Sequence, residues 1–173
     1  ILRIKFPEID LSIIDRNKSK LKISSKYTND QNLLINASDW LAFIKSNKFE
    51  NVIEATGSPE AFKNSISLTS HGGNILWMGN ITGDLSLPKD LVSSILRKEL
   101  SIYGTWNSLY KPQKPDDWKD SVELIQSGVK PSELVTNRVT LDEVPKILKK
   151  LHEHKLRKKI FDSIKTMVNN ISE

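Results

Sequence analysis

The sequence predicts an α/β fold in which parallel strands alternate with helices. Short apolar runs are each followed by a polar segment that has the periodicity of a surface helix. Three of these runs end in small or glycine-bearing turns, as strands that lead into helices often do. Strands that alternate with helices form parallel βαβ units, so we expect one parallel sheet with helices on both faces.

The first elements follow from local periodicity. An apolar run predicts a strand at Leu11–Ile14, and the segment Asn17–Tyr27 has the pattern of a helix with an apolar inner side. A brief strand is predicted at Leu33–Ile35. A helix that Ser38 caps is predicted to follow and to run through Ile44.

The middle of the chain has the clearest boundary signals. Val52–Ala55 reads as a buried strand, and Ser58-Pro59 supplies an N-cap and a first-turn proline for the helix after it. The string HGGNILWMG predicts a glycine turn that leads into a strand at Ile75–Met78. Pro88 is predicted to open a further helix through Leu96.

The last third repeats the alternation. A strand is predicted at Leu100–Tyr103, and a helix at Asp116–Gln126 is closed by Gly128. Thr140 and Glu143 have capping-box spacing before a final amphipathic helix. A proline soon after them predicts a kink or a later onset of that helix.

Composition excludes several classes of protein. The chain has 173 residues, 38% of them hydrophobic and 27% charged, which is ordinary for a globular domain. It has no cysteine, no long apolar run and no secretory signal, so we expect a cytoplasmic protein without disulfides or membrane spans. The net charge of +5 comes from an excess between Lys146 and Lys165, a stretch with a single aromatic residue, Phe161, which favours a solvated helix face over nucleic-acid binding. His152 and His154 lie on different helix faces, so no metal site is expected there.

Asp15 follows the first strand and is the first candidate functional residue. In a dinucleotide-binding fold, an acid at this place accepts hydrogen bonds from the adenosine ribose hydroxyls and repels a 2′-phosphate, which favours NAD over NADP. Arg16 weakens that preference, and Lys20 can approach the same ribose. The alternative is that Asp15 only shapes a strand-to-helix turn. The stretch itself leaves both interpretations open.

Three strand ends together outline a groove. The first carries Ala55-Thr56-Gly57, the second Gly79-Asn80-Ile81, and the third lies in RKELSIYGTWNS. Small residues at these places allow a ligand to approach the backbone closely. Each turn taken singly is equally explained by turn geometry.

The segments EATGSPEAF, GGNILWMGNITGDLSLP and SSILRKELSIYGTWNS resemble the nucleotide-binding domain of zinc-dependent medium-chain alcohol dehydrogenases. Within that family the chain is most similar to the polyol branch, which includes sorbitol dehydrogenase and galactitol-1-phosphate 5-dehydrogenase. The resemblance implies that Asp15 and Lys20, with Arg16 beside them, hold the adenosine ribose. It implies NAD contacts at Ala55, Thr56, Gly57, Met78, Gly79, Asn80, Ser101, Ile102 and Tyr103.

Those contacts divide by their place on the cofactor. The resemblance implies that Ala55–Gly57 runs under the nicotinamide-side ribose, while the backbone at Met78–Asn80 and Ser101–Tyr103 fixes the carboxamide. Trp106 and Asn107 then face the substrate pocket or a partner subunit. Arg157 or Lys158 is a candidate for the pyrophosphate.

The resemblance also sets what the chain is expected to lack. We expect residues 1–140 to form a truncated Rossmann-like NAD-binding domain, without its first strand and glycine-rich turn, and residues 141–173 to form a helical tail that leads toward the absent catalytic domain. Zinc, which serves the intact family, has no ligands in this chain. The strands at Val52, Ile75 and Leu100 are expected to form a half-sheet, with the Leu11 strand displaced or paired directly onto Val52.

Two functions from different classes remain. The first is the NAD-binding portion of a sugar-alcohol or sugar-phosphate dehydrogenase, inactive by itself and associated with its missing half or with a second copy. The second is a non-catalytic remnant or interaction module that keeps the dinucleotide-binding fold. Nucleic acids and membranes are not expected partners.

Overall fold

The computed structural model describes residues 1–28, 32–33, 37–108, 116–156 and 165–169. The described strands are β1 Ile13–Ile14, β2 Asn32–Leu33, β3 Phe49–Glu54, β4 Thr69–Trp77, β5 Ser101–Gly104, β6 Val135–Thr140 and β7 Lys165–Asn169. The described helices are α1 Leu2–Lys5, α2 Lys18–Ser24, α3 Ala37–Ser46, α4 Pro59–Leu68, α5 Lys89–Arg97, α6 Asp117–Gln126 and α7 Val144–Leu156. None of these helices is long and apolar enough to cross a membrane. The chain divides into two compact units, Asn36–Leu109 and a second one made of Ile1–Ile35 with Tyr110–Glu173.

The unit Asn36–Leu109 contains a three-stranded parallel sheet in the order β3-β4-β5. Val52 pairs with Ile75, and Ile75 pairs with Ile102. The half-sheet predicted from these three apolar runs is therefore confirmed, and its strand ends meet at one edge.

One face of this sheet carries the hydrophobic core. Phe62 and Ile66 of α4 are buried against Ile75, and partly buried side chains of α5 extend the cluster. The rings of Phe62 and Trp77 lie 4.8 Å apart between their centroids. Helix α4 starts as predicted, with Ser58 as its N-cap accepting a hydrogen bond from the Ala61 amide.

Two local expectations in this unit are wrong. Gly72 and Gly73 of HGGNILWMG belong to β4 itself and do not form a turn before it. Phe49 pairs with Thr69 and Asn51 with Asn74, which leaves extra residues bulging on β4. A glycine is needed at position 73, since a Cβ on Gly73 would lie only 2.8 Å from the Glu50 carbonyl oxygen. Helix α3 begins at Ala37, so Ser38 lies inside the helix and not before its first residue.

In the other unit, β1 is shorter than predicted and pairs in parallel with β2. Ile13 pairs with Asn32 and Ile14 with Leu33, so β1 does not add onto Val52. Of the two expected arrangements, direct pairing of this strand with Val52 is not found among the described strands. Helix α2 begins as predicted, with Asn17 as its N-cap.

The tail contains more strand than the sequence predicted. β6 was not foreseen, although its alternating burial from Val135 to Thr140 is typical of a strand. It pairs in parallel with β7, so residues 141–173 are not a wholly helical tail. The capping box of Thr140 and Glu143 is present, and α7 starts later, at Val144, as the nearby proline indicated. Arg157 and Lys158 lie outside the described residues.

Candidate cofactor-binding site

Asp15 lies directly after β1, where its carboxylate shapes the start of α2. Its Oδ1 accepts a hydrogen bond of 2.8 Å from the Asn17 amide. The buried Asn17 in turn accepts bonds from the amides of Ser19 and Lys20 and so caps the helix. The turn uses one carboxylate oxygen, and among the described residues no partner bonds the other. Both interpretations of Asp15, turn former and ligand acceptor, are therefore compatible with its geometry.

Asp15 and Lys20 line one cavity of about 230 Å³. The remaining walls are mostly apolar and are formed by Ile13, Leu21, Ile23, Ser24, Tyr27 and Leu134. An acceptor and a cation beside an apolar wall suit a nucleoside, which presents hydroxyls on its sugar and a flat base. Arg16 is exposed and does not line this cavity.

Tyr27 is a cavity residue that the sequence did not single out. Its hydroxyl donates to Oε2 of Glu133 over 2.5 Å, which joins the segment after α2 to the one before β6. The two residues are 106 positions apart in the chain. Nothing local in the sequence indicates such a long-range contact.

In the unit Asn36–Leu109, the ends of β3 and β4 interlock through two glycines. Gly57 has φ +69°, and a Cβ on it would collide with the carbonyl oxygen of Asn80. A Cβ on Gly79 would collide with the Gly57 amide. The Thr82 amide and hydroxyl donate to the Gly57 carbonyl at 2.9 and 3.2 Å, which fastens the two loops together.

Glu54, the last residue of β3, organises the same loops and was overlooked in the sequence. Its side chain is 3% exposed, and its Oε1 accepts bonds from the Thr56 amide, the Thr56 hydroxyl and the Gly57 amide. The signal was an acid at the end of an apolar strand, two positions after Val52 and therefore on the same face.

The residues predicted for the nicotinamide side divide between a cavity and a strand. A cavity of about 270 Å³ is lined by Trp77, Met78, Gly79, Asn80, Gly104, Thr105 and Trp106. Ser101, Ile102 and Tyr103 lie within β5 and do not line it; the residues just after them do. Ala55 and Thr56 are exposed beside the Gly57 turn. Asn107 is exposed, has φ +56° and lies outside the lining.

The described residues do not fit a zinc ion. No three histidine, aspartate or glutamate side chains in the described part of the chain come together as a metal site. We therefore derive no chemical step through a metal from these residues.

Comparison with known proteins identifies close relatives of this architecture. The family model described as zinc-binding dehydrogenase matches residues 9–127. L-threonine 3-dehydrogenase of Cronobacter sakazakii is 31% identical over 98 residues, which are 57% of this chain and 27% of that protein.

Two solved structures share the fold at lower identity. Galactitol-1-phosphate dehydrogenase from Escherichia coli has a TM-score of 0.69 at 19% identity, over 82% of this chain and 42% of its own. An alcohol dehydrogenase from Escherichia coli CFT073, in complex with NADH, has a TM-score of 0.73 at 19% identity, over 97% and 47%. The chain thus spans less than half the length of these proteins. Their likeness confirms the predicted Rossmann-like class, a parallel sheet with helices on both sides.

Proposed function

We propose that this chain, which belongs to the zinc-binding dehydrogenase family, is the NAD-binding portion of a dehydrogenase that acts on a sugar alcohol or a sugar phosphate. The family match, which covers residues 9–127, contains the proposed cofactor and substrate residues from Asp15 to Asn107; the pyrophosphate candidates Arg157 and Lys158 lie beyond it. The likeness to galactitol-1-phosphate dehydrogenase supports a polyol substrate, and the likeness to an NADH complex supports the cofactor.

The observation that carries the proposal is the cavity that Asp15 and Lys20 share at the end of β1. Asp15 would accept hydrogen bonds from the two adenosine ribose hydroxyls, and Lys20 would approach the same sugar. A 2′-phosphate would bring its negative charge next to the carboxylate, so NAD is preferred to NADP.

The strand-end loops would take the other half of the cofactor. Ala55–Gly57 would lie along the nicotinamide-side ribose, and the backbone at Met78–Asn80 would hold the carboxamide. NAD accepts and releases hydride at its nicotinamide ring. These residues would present one face of that ring to the substrate. Trp106 lines the cavity that Met78–Asn80 also line.

A cofactor titration tests the proposal on the full chain. Trp77 and Trp106 line the second cavity, so bound NADH is expected to quench tryptophan emission. NADH should bind at least about tenfold more tightly than NADPH, a difference of roughly 1.4 kcal/mol. Equal affinities for the two would contradict the role of Asp15, and no binding of either would contradict the function.

Substitution of Asp15 makes the test specific. Asp15→Ser is expected to weaken NADH and to strengthen NADPH relative to it, because the diol loses its acceptor and the phosphate loses a repelling charge. Asp10→Ser is the matched control, since Asp10 is exposed and lies outside the cavity. The native chain, given NAD with galactitol 1-phosphate or sorbitol, is expected to form no NADH by itself.

A further inference from the structure

Glu54 is the only buried carboxylate among the described residues. Its side chain turns back from the end of β3 and satisfies the turn that follows. The bonds to Oε1 measure 2.8 Å from the Thr56 amide, 2.6 Å from the Thr56 hydroxyl and 3.2 Å from the Gly57 amide. Three donors converge on this one oxygen, so the turn is held firmly.

The same residue also holds the next strand end. The main-chain oxygen of Glu54 accepts bonds from the amides of Met78 and Gly79 at 2.8 and 3.0 Å. Its Oε2 is buried, has no hydrogen-bond partner in the described part of the chain and lies where a Cβ of Gly79 would come within 2.5 Å. Glu54 therefore sets the distance between the Ala55–Gly57 turn and the Met78–Asn80 loop.

A turn alone does not require a glutamate at this place. At the end of β1, the shorter Asp15 makes the equivalent bond to the amide two residues later, with its carboxylate half-exposed. Glu54 has one more methylene group, which carries its second oxygen to the backbone of the neighbouring strand. Leaving a carboxylate oxygen buried and unpartnered is unfavourable, so the turn by itself does not explain the residue.

We propose that Glu54 is a positioning residue for the nicotinamide half of NAD. It holds the turn and the loop at the spacing that this half of the cofactor needs, without touching the cofactor itself. The inference rests on the proposed NAD binding, because the two segments are the ones assigned to the nicotinamide ribose and carboxamide.

The test compares NADH with ADP, which has the adenosine and the pyrophosphate but neither the second ribose nor the nicotinamide. The affinity of the full chain is measured for both, by calorimetry. The ratio of the two dissociation constants is the contribution of the nicotinamide half. In Glu54→Gln, which keeps the shape but replaces one carboxylate oxygen by an amide nitrogen, NADH should bind about tenfold more weakly while the affinity for ADP stays within about twofold.

Two further variants complete the experiment. Glu60→Gln removes an equal charge from the first turn of α4, where Glu60 is exposed and lies 3.9 Å from Lys63, and should change neither affinity. Thr56→Val removes the hydroxyl that donates over 2.6 Å to Glu54 and should reproduce the selective loss of NADH, whereas Thr56→Ser, which changes the same side chain but keeps that hydroxyl, should retain the native ratio.

The outcomes separate this inference from the function on which it rests. If the native chain binds neither ligand, the proposed function fails. If it binds both equally, NAD binding stands and the inference fails, because the nicotinamide half contributes nothing to the affinity. If Glu54→Gln weakens both ligands by the same factor, the residue is only structural and the inference fails. If that variant does not fold, as judged by circular dichroism, Thr56→Val decides, and an unchanged ratio overturns the inference.

Discussion

At the scale of single residues, Gly57 and Gly79 are required by the contact between two loops. Each lies where a Cβ would collide with the backbone of the other loop, and Gly57 also has φ +69°, which side chains disfavour. The requirement exists in the protein without ligand. Close approach of a cofactor is therefore an additional use of these glycines, and their first use is to let β3 and β4 end side by side.

Substitution by alanine measures this requirement. Gly57→Ala is expected to lower the free energy of unfolding by about 3 kcal/mol, because strain at positive φ adds to a collision with the Asn80 carbonyl. Gly79→Ala should lower it by about 2 kcal/mol, since only the collision applies. Urea unfolding followed by circular dichroism gives both values.

Gly104→Ala is the matched control. Gly104 also follows an apolar strand core, yet a Cβ on it meets nothing within 4 Å. Its unfolding free energy should stay within about 0.5 kcal/mol of the native value. A loss at Gly104 as large as that at Gly57 would mean that the loop contact is not the cause.

The sequence predicted the glycines but not their main partner. Small residues that follow an apolar run can be recognised in the amino-acid sequence alone, and so can Asp15 after its apolar run. Gly57 and Asn80 lie 23 positions apart, and the contact between them depends on how neighbouring strands end. Glu54 was missed for the same reason, because its reach to Gly79 exists only once β3 and β4 are paired.

At the scale of elements, two lysines stabilise the carboxyl end of α4. Lys98 donates to the carbonyls of Ile66, Ser67 and Thr69 at 3.0, 3.3 and 2.8 Å. Lys48 donates to the Ser67 carbonyl at 2.9 Å. The last carbonyls of a helix have no partner within the helix, and cations near them interact favourably with its dipole. Lys98 lies at the end of α5, so its contacts also tie α5 to α4.

Lys98→Met tests this contact, because methionine keeps much of the aliphatic stem and removes the donors. The free energy of unfolding is expected to fall by about 1–2 kcal/mol in chemical denaturation. Lys89→Met, an exposed change at the other end of α5, should alter it by less than about 0.5 kcal/mol. Equal effects of the two substitutions would contradict the stabilising role of the Lys98 hydrogen bonds at the end of α4.

The effect of Lys98→Met should depend on pH. Burial lowers the pKa of the Lys98 ammonium from its ordinary value of 10.5, and the charge of Lys48 lowers it further. Between the lowered pKa and 10.5 the unfolded chain binds the proton more than the folded chain does, so Lys98 makes stability rise with pH over that interval. The free energy of unfolding of the native chain should therefore exceed that of Lys98→Met by more at pH 10.5 than near neutrality.

Elements with local signals were predicted well, and those that depend on pairing were not. Ser58 caps α4 as predicted, and Asn17 and Asp116, which were predicted as the first residues of two helices, are the N-caps of α2 and α6. The bulge in β4 and the pairing of β6 with β7 were missed, because each depends on a strand distant in sequence. Local hydrogen bonds are encoded within a few residues; strand registers are not.

At the scale of the whole molecule, buried apolar side chains are distributed unevenly. Among the described residues, four of the five buried hydrophobic ones lie in the unit Asn36–Leu109, namely Phe62, Ile66, Leu68 and Ile75. The other unit contributes Leu21, and its sheets have two strands each. Small two-stranded sheets with little buried area are marginal in isolation. The two units should therefore differ in local stability.

Amide hydrogen exchange of the full chain tests that difference. The amides of Val52, Ile75 and Ile66 are expected to exchange most slowly, because they open only when the core of their unit does. Those of Ile13 and Ile14 should exchange at least about a hundredfold faster, a difference of roughly 2.7 kcal/mol in opening free energy. As low concentrations of urea are raised, the opening free energies of the slow amides in Asn36–Leu109 should converge on one common value. The amides of the other unit should open at lower urea concentrations. Equal protection of Ile14 and Ile75 in a monomer would contradict this, because it would show that β1 is held by more than its two-residue pairing with β2.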